Sequence, residues 1–339
     1  MYELDLAEFK LLTARGWFMF INVIWLIAFV LLAVVSIRYF VRFVRSSRML
    51  VRFGGGFSVG LLSLLLGLIS VLGLLGIIYT FTYSGSEVVE VQIEGTAEQI
   101  ERGSEIASWT CSGCHSLDNS LPLTGGKDIM ADVPIPIGKA TPANLTPAGR
   151  IADWSDGELQ RAIREGTAAD GSMLSIMSAN TFRYLSQQDL DAVVAYLRSE
   201  EPVETDIEEE NSLTFLSMVL QPLGMLPIKS PPDFGPPPHV EPAESAVYGE
   251  YITKVFDCAL CHGDDFSGGP GGIVPAGPSL AGAKVWTSEQ FINAMRTGAT
   301  PYGTTLDEKM PWEEIGKMDD QTGRAVVPEG CCSVGVSGL

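Results

Sequence analysis

Two copies of a five-residue motif contain the residues of this 339-residue chain that are best suited to chemistry. Residues 111–115 read Cys-Ser-Gly-Cys-His, and residues 258–262 read Cys-Ala-Leu-Cys-His. Two thiols at this spacing can add across the two vinyl groups of one porphyrin, and the adjacent imidazole then lies beneath the iron. The repeated motif therefore predicts two covalently bound haem c groups. The predicted haem-binding residues are Cys111, Cys114, His115, Cys258, Cys261 and His262, with the irons bound by His115 and His262.

Two other kinds of site use paired cysteines. A thioredoxin-like dithiol has the spacing C-x-x-C, but it does not need the histidine that follows here, and no βαβ pattern surrounds either pair. A single zinc ion bound by both pairs would require the two motifs to meet, although each lies in its own domain-sized segment. The repeat of the complete pentapeptide favours haem over both alternatives.

The opposite face of each iron needs a further ligand. The chain has three histidines, two of which belong to the motifs, so a methionine thioether is the natural candidate. In the first half, Met173 and Met177 both follow the helix end expected at Gly166. Met177 is preferred because it lies closer to the last predicted helix of that half, where it can face the open side of the haem. A methionine that only packs on the porphyrin is the alternative.

In the second half the preferred iron ligand is Met310, which lies in the sequence Lys-Met-Pro-Trp at residues 309–312. Met295 falls in the middle of a predicted helix, and Met318 comes one loop later. The third histidine, His239, lies in a Pro-rich segment. As a ligand it would give a bis-His haem, whereas an exposed linker histidine is the simpler interpretation.

Charge is divided unevenly along the chain. The first 83 residues carry seven basic and three acidic side chains, and the whole chain has a net charge of −19, which leaves −23 on residues 84–339. Such a surface argues against nucleic acid as a partner, because its phosphates would be repelled. A partner with a basic surface fits better, since charge complementarity speeds encounter.

Two long apolar stretches lie in the first 83 residues. Residues 16–37 and 57–83 are each long enough to cross a bilayer core, which takes about 20 helical residues. A cleavable signal peptide is the alternative for the first stretch, but its apolar region is too long and Arg38 follows it in place of a small-residue cleavage site. The sequence therefore predicts a helical hairpin with two membrane spans.

The orientation of this hairpin follows from the segment between the two spans. It contains five arginines between residues 38 and 52, so the positive-inside rule predicts that it is cytoplasmic. Both termini and both haems then face the periplasm. Covalent haem attachment, which bacteria carry out outside the cytoplasm, predicts the same side. We therefore expect an inner-membrane protein with the lipid bilayer as a partner.

Small residues line one face of the second apolar stretch, at Gly60, Ser63, Gly67 and Ser70. Such a face lets a neighbouring helix approach closely. The neighbour is either the first stretch of the same chain or a partner subunit, and the sequence leaves both open.

The remaining sequence predicts two helical domains joined by a linker. Apolar periodicity and capping residues such as Ser155 and Ser186 define the helices, and Gly- and Pro-rich loops separate them. The predicted helices are 97–109, 156–166, 190–198, 244–256 and 288–298. The predicted organisation is a transmembrane hairpin at 1–83, a linker at 84–96, a first domain at 97–200, a second linker at 201–243, a second domain at 244–321 and an irregular tail at 322–339.

The second linker changes character along its length. It begins strongly acidic, becomes apolar at 213–228 and ends Pro-rich at 231–242. The apolar part is too short and interrupted to span a membrane, so we expect it to lie over domain surfaces or at the membrane interface.

In the tail, Gly and Pro predict that any final helix is absent or short. Cys331 and Cys332 lie in this tail, where free thiols are favoured over a lipidation site.

The two predicted domains resemble class I cytochrome c, over about 97–200 and 245–320. The resemblance rests on Asn144–Pro147 with Ile151–Trp154, on Met177 ahead of the run Asp189–Arg198, and on residues Gly303–Trp312. The pair is similar to the membrane-bound dihaem or multihaem cytochrome c subunits that accept electrons from periplasmic dehydrogenases. The resemblance implies an all-α fold, His/Met ligation and an electron-carrier role. Those families do not usually carry the N-terminal hairpin, and this chain lacks their final aromatic–Leu helix end.

These observations predict an all-α, integral-membrane dihaem cytochrome c with no catalysis of its own. It would carry single electrons between a membrane oxidoreductase complex, respiratory or photosynthetic, and an extracytoplasmic donor or acceptor. Expected partners are the other subunits of that complex and a soluble cytochrome c or copper protein.

One alternative is the cytochrome subunit of a periplasmic alcohol or sugar dehydrogenase. A second is a dihaem peroxidase, which needs an open position on one iron; the two candidate methionines argue against it. A haem-based sensor would need a signalling domain, and the sequence shows none.

Overall fold

Helices make up most of the regular structure. The computed structural model describes residues 6–83, 85–174, 177, 181–226, 237–269, 271 and 274–326. The α-helices are α1 (Leu6–Val44), α2 (Gly56–Thr82), α3 (Ala97–Thr110), α4 (Ser112–His115), α5 (Asp156–Glu165), α6 (Gln187–Ser199), α7 (Phe215–Leu220), α8 (Ala246–Val255), α9 (Cys258–His262), α10 (Ser288–Thr297), α11 (Trp312–Ile315) and α12 (Asp320–Val326). Two short strands, β1 (Gly138–Thr141) and β2 (Glu210–Leu213), pair with each other. The predicted helical fold is thus confirmed, with a small sheet that was not predicted.

The chain forms two compact units. The first comprises the described parts of Met1–Tyr83, Asp132–Lys139 and Asn211–Ile228. The second comprises the described parts of Ser84–Ala131, Ala140–Glu210 and Lys229–Leu339, and it therefore contains both C-x-x-C-H motifs. The segments that were predicted as two separate haem domains thus share one compact unit.

In the first unit, α1 and α2 form the predicted hairpin. Segments Gly16–Val44 and Val51–Thr82 are long and apolar enough to cross a membrane. The first helix extends beyond the predicted bounds at both ends, since it begins at Leu6 and continues through the arginines to Val44. The residues after Ile37 are arginines, aromatics and valines, none of which breaks a helix. A turn of π-helix at Val51–Gly55 leads into α2.

Gly60 and Ser63 of the small-residue face pack against α1, so the intramolecular interpretation is seen for this part of the face. The Ser36 and Ser63 hydroxyls lie 2.8 Å apart and are hydrogen-bonded. A Cβ added at Gly60 would lie 2.9 Å from the ring of Phe40, so a larger residue there would push the helices apart. Small residues therefore set the separation of the two helices.

The apolar part of the second linker lies on this hairpin. Asn22 Nδ2 donates to the carbonyl of Leu213 at 2.9 Å, and the rings of Phe29 and Phe215 stack with centroids 5.3 Å apart. A Cβ at Gly76 would overlap the backbone carbonyl of Met218. We refer to residues 211–226 as the linker strap. The strap was expected to lie over domain surfaces or at the membrane interface, and it packs on the apolar helices of the hairpin through backbone as well as side-chain contacts.

In the second unit, the same order of elements occurs twice. One helix leads into each motif, namely α3 and α8, and a short helix carries the motif histidine. The next helix, α5 or α10, starts with a reciprocal capping box and ends at a left-handed glycine. The last helix, α6 or α12, begins at a side-chain cap supplied by Ser186 or Asp319. This repetition makes the two halves of the unit comparable residue by residue.

The final helix corrects one prediction. The tail was expected to be irregular from residue 322, but α12 continues to Val326. Gly323 permits this because a Cβ there would lie 2.7 Å from Ile292, and the small residue lets α12 approach α10 closely. Ala325 and Val326 are buried. Seven residues of α12 are described, and the rest of the predicted tail, with Cys331 and Cys332, lies outside the described residues.

Candidate haem-binding sites

The first motif lies at the junction of two helices. Cys111 caps the C-terminus of α3, and the amides of Cys114 and His115 donate to the Cys111 carbonyl at 3.1 Å and 2.8 Å. This tight turn keeps the two cysteines and the histidine on one short segment. In the second motif Cys258 begins α9 after Asp257, whose positive φ of 50° breaks the chain direction between α8 and α9.

Each motif histidine is oriented by one backbone carbonyl. Nδ1 of His115 lies 2.8 Å from the oxygen of Ala143, and Nδ1 of His262 lies 2.7 Å from the oxygen of Pro278. When Nδ1 carries the proton and donates it to the carbonyl, Nε2 keeps its lone pair for a metal. Burial lowers the pKa of His115, which favours this neutral form. Both imidazoles are therefore arranged as iron ligands are.

A glycine after each motif allows the loop to fold back onto it. The amides of Gly125 and Gly268 donate to the carbonyls of the two motif histidines at 2.9 Å each. A Cβ at Gly126 would overlap the carbonyl of Cys114, and one at Gly269 would overlap that of Cys261. Sequence reasoning missed these glycines, although the Gly-Gly pair that follows each motif is visible in the sequence.

Burial keeps the first thiol of each motif protonated in the polypeptide. It raises the pKa of Cys111 to about 11 and that of Cys258 to about 12. Zinc binding and dithiol exchange both use the thiolate, so these surroundings do not favour either alternative. Among the described residues no group of three or more His, Cys, Asp or Glu side chains is arranged to hold a metal ion.

The two halves place Met177 and Met310 at comparable positions. Helix α5 ends at Gly166 and α10 at Gly298, and each glycine carbonyl then accepts a 2.7 Å hydrogen bond from a leucine amide, Leu174 in one half and Leu306 in the other. Met177 follows three residues after its leucine and Met310 four residues after. Both methionines are partly buried and pack against the apolar core.

The competing candidates occupy different environments. Met173 forms a β-bridge with Thr167, and the corresponding bridge in the second half joins Ala299 to Thr305, which has no thioether. Met295 and Met318 are each only 4% exposed within the core. These placements support Met177 and Met310 as the candidate ligands.

The third histidine lies away from the core. The side chain of His239 is 77% exposed and lies 3.4 Å from Glu241. This is the exposed linker histidine of the simpler interpretation, and it offers no support for a bis-His haem.

Two of the buried hydrogen-bond donors bear on whether the surroundings suit a haem. Trp286 Nε1 and Arg164 Nε are buried and have no hydrogen-bond partner among the described residues. Buried N–H groups normally have acceptors, so each of these is suited to an acceptor that the described residues do not supply. Haem carries two propionate carboxylates. Paired thiols and an oriented imidazole in each half fit haem c, and each half also has a buried donor that a propionate could use.

Comparisons with known proteins agree with this geometry. Residues 100–201 match the sequence model of the cytochrome c family. The cytochrome c subunit of the quinone alcohol dehydrogenase of Gluconacetobacter polyoxogenes is 30% identical over 172 residues, which cover 48% of this chain and 35% of that protein. The cytochrome c subunit of gluconate 2-dehydrogenase of Pantoea cypripedii is 26% identical over 171 residues, or 48% of this chain and 37% of the relative.

A third relative is described as a diheme cytochrome c-type protein. It comes from Cereibacter sphaeroides and is 32% identical over 112 residues, which cover 31% of this chain and 37% of the relative. The matched part of this chain spans little more than a third of the length of each of these relatives. Residues 100–201 thus form a cytochrome c domain, and such a domain binds haem c covalently.

Proposed function

We propose that this protein is a membrane-anchored dihaem cytochrome c that carries single electrons as a non-catalytic subunit of a periplasmic dehydrogenase complex. The observation that carries the proposal is the repeated attachment geometry, in which each motif histidine donates Nδ1–H to a loop carbonyl and each following loop folds back on a glycine. The first half is a cytochrome c domain. The equivalent geometry at residues 258–262 supports a second haem.

The residues divide the work as follows. Bound haem supplies the one-electron Fe(III)/Fe(II) couple. The motif cysteines hold the porphyrin edge as thioethers, and the motif histidines supply the imidazoles in the tautomer fixed by their carbonyl acceptors. Met177 and Met310 supply thioethers, which raise the reduction potential. The buried N–H groups of Trp286 and Arg164 would be available as donors to the propionates of bound haem.

The hairpin anchors the protein in the cytoplasmic membrane. Its helices expose large apolar side chains such as Trp25 and Leu64, which are 52% and 73% exposed and suit contact with lipid. The five arginines around the connection between α1 and α2 keep that connection in the cytoplasm. The haem-binding segments then lie on the periplasmic side, where a soluble cytochrome c or copper protein exchanges electrons with them.

The relatives favour a dehydrogenase complex over a respiratory or photosynthetic complex. Those that are 30% and 26% identical are cytochrome c subunits of an alcohol and a gluconate dehydrogenase. The cytochrome subunit of a dehydrogenase, which the sequence offered as the alternative, is therefore preferred to a carrier in a respiratory or photosynthetic complex. A subunit that supplies the substrate's electrons is the expected donor, and the membrane quinone pool or a soluble redox protein is the expected acceptor.

A test starts with the native protein, tagged and extracted from membranes in mild detergent. A pyridine haemochrome assay is expected to give two covalent haems per chain, both low-spin and unreactive towards carbon monoxide, and the preparation is expected to contain a flavin- or quinone-dependent dehydrogenase subunit. One haem per chain, or bound zinc, would contradict the dihaem proposal. A high-spin haem with peroxide turnover would instead support the peroxidase. Co-purification with an oxidase or photosynthetic centre alone would contradict the dehydrogenase assignment.

A further inference from the structure

A single lysine from the second half contacts the attachment segment of the first half. Lys317 Nζ donates to the Ser108 carbonyl at 3.2 Å and to the Ser112 hydroxyl at 2.8 Å, and it also donates to the carbonyl of Asn119. An ammonium group has three N–H donors, so all the hydrogen-bond donors of Lys317 have acceptors. Ser112 is the residue directly after the first motif cysteine, and the other two acceptors flank the motif.

Lys317 belongs to the segment that follows the candidate axial methionine of the second half. Met310 precedes α11, and Lys317 lies two residues after this helix. On the same side, a Cβ at Gly113 would lie 3.3 Å from Cγ of Glu314, so the middle of the first motif lies against α11. The attachment segment of one haem therefore touches the axial-ligand segment of the other.

We propose that Lys317 is a positioning residue for electron transfer between the two haems. It holds α4, which carries the first attachment motif, against α11, beside the loop of Met310. In this step one electron leaves the Fe(II) of one haem and reduces the Fe(III) of the other, with no proton and no further reactant. The inference rests on the proposed function, since it needs both haems.

The halves are joined elsewhere by contacts that do not involve the motifs. Arg102 of α3 donates to Tyr248 of α8 at 2.9 Å, and the rings of Trp109 and Phe256 stack with centroids 6.1 Å apart. These contacts keep the halves together without Lys317. A lysine whose three donors all go to residues around the haem-attachment motif therefore serves the local alignment of the two segments.

The test uses the full chain in detergent and compares Lys317→Met with Lys309→Met. Both changes remove one positive charge near Met310, but Lys309 is exposed and its side chain makes no hydrogen bond or ion pair among the described residues. Haem content and both reduction potentials are measured first. Rapid photoreduction of the oxidised protein then follows the redistribution of the first electron between the haems, at several protein concentrations, so that the intramolecular rate is isolated.

The expected result is an intramolecular rate that falls about tenfold in Lys317→Met and less than twofold in Lys309→Met, because charged hydrogen bonds are roughly twice as strong as neutral ones and only Lys317 makes them. An unchanged rate in Lys317→Met, an equal fall in both variants, or a fall explained by the measured potentials would overturn the inference. So would a wild-type protein with two haems but no intramolecular exchange. Fewer than two haems in the wild type would refute the proposed function instead.

Discussion

The side chains proposed to bind iron differ in how firmly the protein holds them. Each motif histidine has a fixed backbone acceptor for Nδ1, so its ring orientation is set by the polypeptide. Met177 and Met310 are partly buried side chains that have no such bond within the described part of the chain, and their segments are positioned by backbone hydrogen bonds nearby. We therefore expect the axial methionines to be the more easily replaced ligands.

Replacing Met177 by leucine is expected to remove the thioether from the first iron. The reduction potential of that haem falls and it becomes able to bind carbon monoxide, because thioether ligation raises the potential and fills the sixth position. Potentiometric titration and carbon monoxide difference spectra measure both effects.

Met173→Leu is the matched control. Met173 is 9% exposed and paired with Thr167 in a β-bridge, so this volume-conserving change should cost less than about 1.5 kcal/mol and leave both potentials unchanged. If Met173→Leu opened the iron and Met177→Leu did not, the ligand assignment would be reversed.

Gly126→Ala is expected to lower haem attachment at the first motif. The added Cβ would overlap the Cys114 carbonyl, so the loop would have to move away from the motif. Haem content should fall from two towards one per chain, as measured by pyridine haemochrome and mass spectrometry. Gly282→Ala is the control, because no atom lies within 4 Å of a Cβ there. Full haem content in Gly126→Ala would show that the close approach is not needed.

The residues proposed to attach haem could be identified in the sequence, because the two thiols and the imidazole must be local for this chemistry. The residues that orient the two motif histidines could not be predicted in the same way. The acceptor for His115 is 28 residues away at Ala143, and that for His262 is 16 residues away at Pro278, and any residue can supply a backbone carbonyl. Only the folded chain identifies them.

Among the helices and strands, the starts of helices could be predicted where a side chain caps them. Ser155 and Ser186 were predicted caps, and each side chain accepts a hydrogen bond from the amide three residues later. The extent of α1 was underestimated, because arginine marks the end of an apolar stretch but does not end a helix. Strands β1 and β2 have only four residues each and pair across 68 or more intervening residues, so no local period reveals them.

A buried polar network joins three helices of the second unit. Asp189 of α6 accepts from Arg102 Nε at 2.9 Å and from the Tyr251 hydroxyl at 2.6 Å. Burial opposes the charge on Arg102, but the hydrogen bond and the charge of Asp189 outweigh it and raise the pKa of the guanidinium. The network was invisible in the sequence, since its members come from α3, α6 and α8.

Asp189→Asn is expected to destabilise the second unit by about 3 kcal/mol, because removing one partner of a buried ion pair leaves an uncompensated charge. Thermal unfolding monitored by circular dichroism measures the change. Glu250→Gln is the control, since Glu250 and Lys254 form an exposed pair within one helix, which is worth about 0.3–0.5 kcal/mol. Equal losses in the two variants would mean that burial does not strengthen the Asp189 network.

In the whole chain, the linker strap brings the segment between the two C-x-x-C-H motifs back to the N-terminal hairpin. Residues 211–226 lie in the sequence between the two haem-attachment motifs, yet within the first unit they pack on the hairpin. The path of the chain thus returns to the hairpin between the two C-x-x-C-H motifs. Composition predicted that this segment is not a membrane span, but it could not predict which helix it would contact.

Gly76→Ala is expected to release the strap from α2. The new Cβ would overlap the Met218 carbonyl, and overpacking of this kind costs about 1–3 kcal/mol. Because cleavage of a transiently opened segment follows the population of the open form, chymotrypsin should cut at Phe215 about tenfold faster. Gly67→Ala on the same helix is the control, since no atom lies within 4 Å of its Cβ. Equal cleavage of both variants and wild type would show that the strap is not held by its close contact with α2, and that Asn22 and the Phe29–Phe215 stack suffice to keep it on the hairpin.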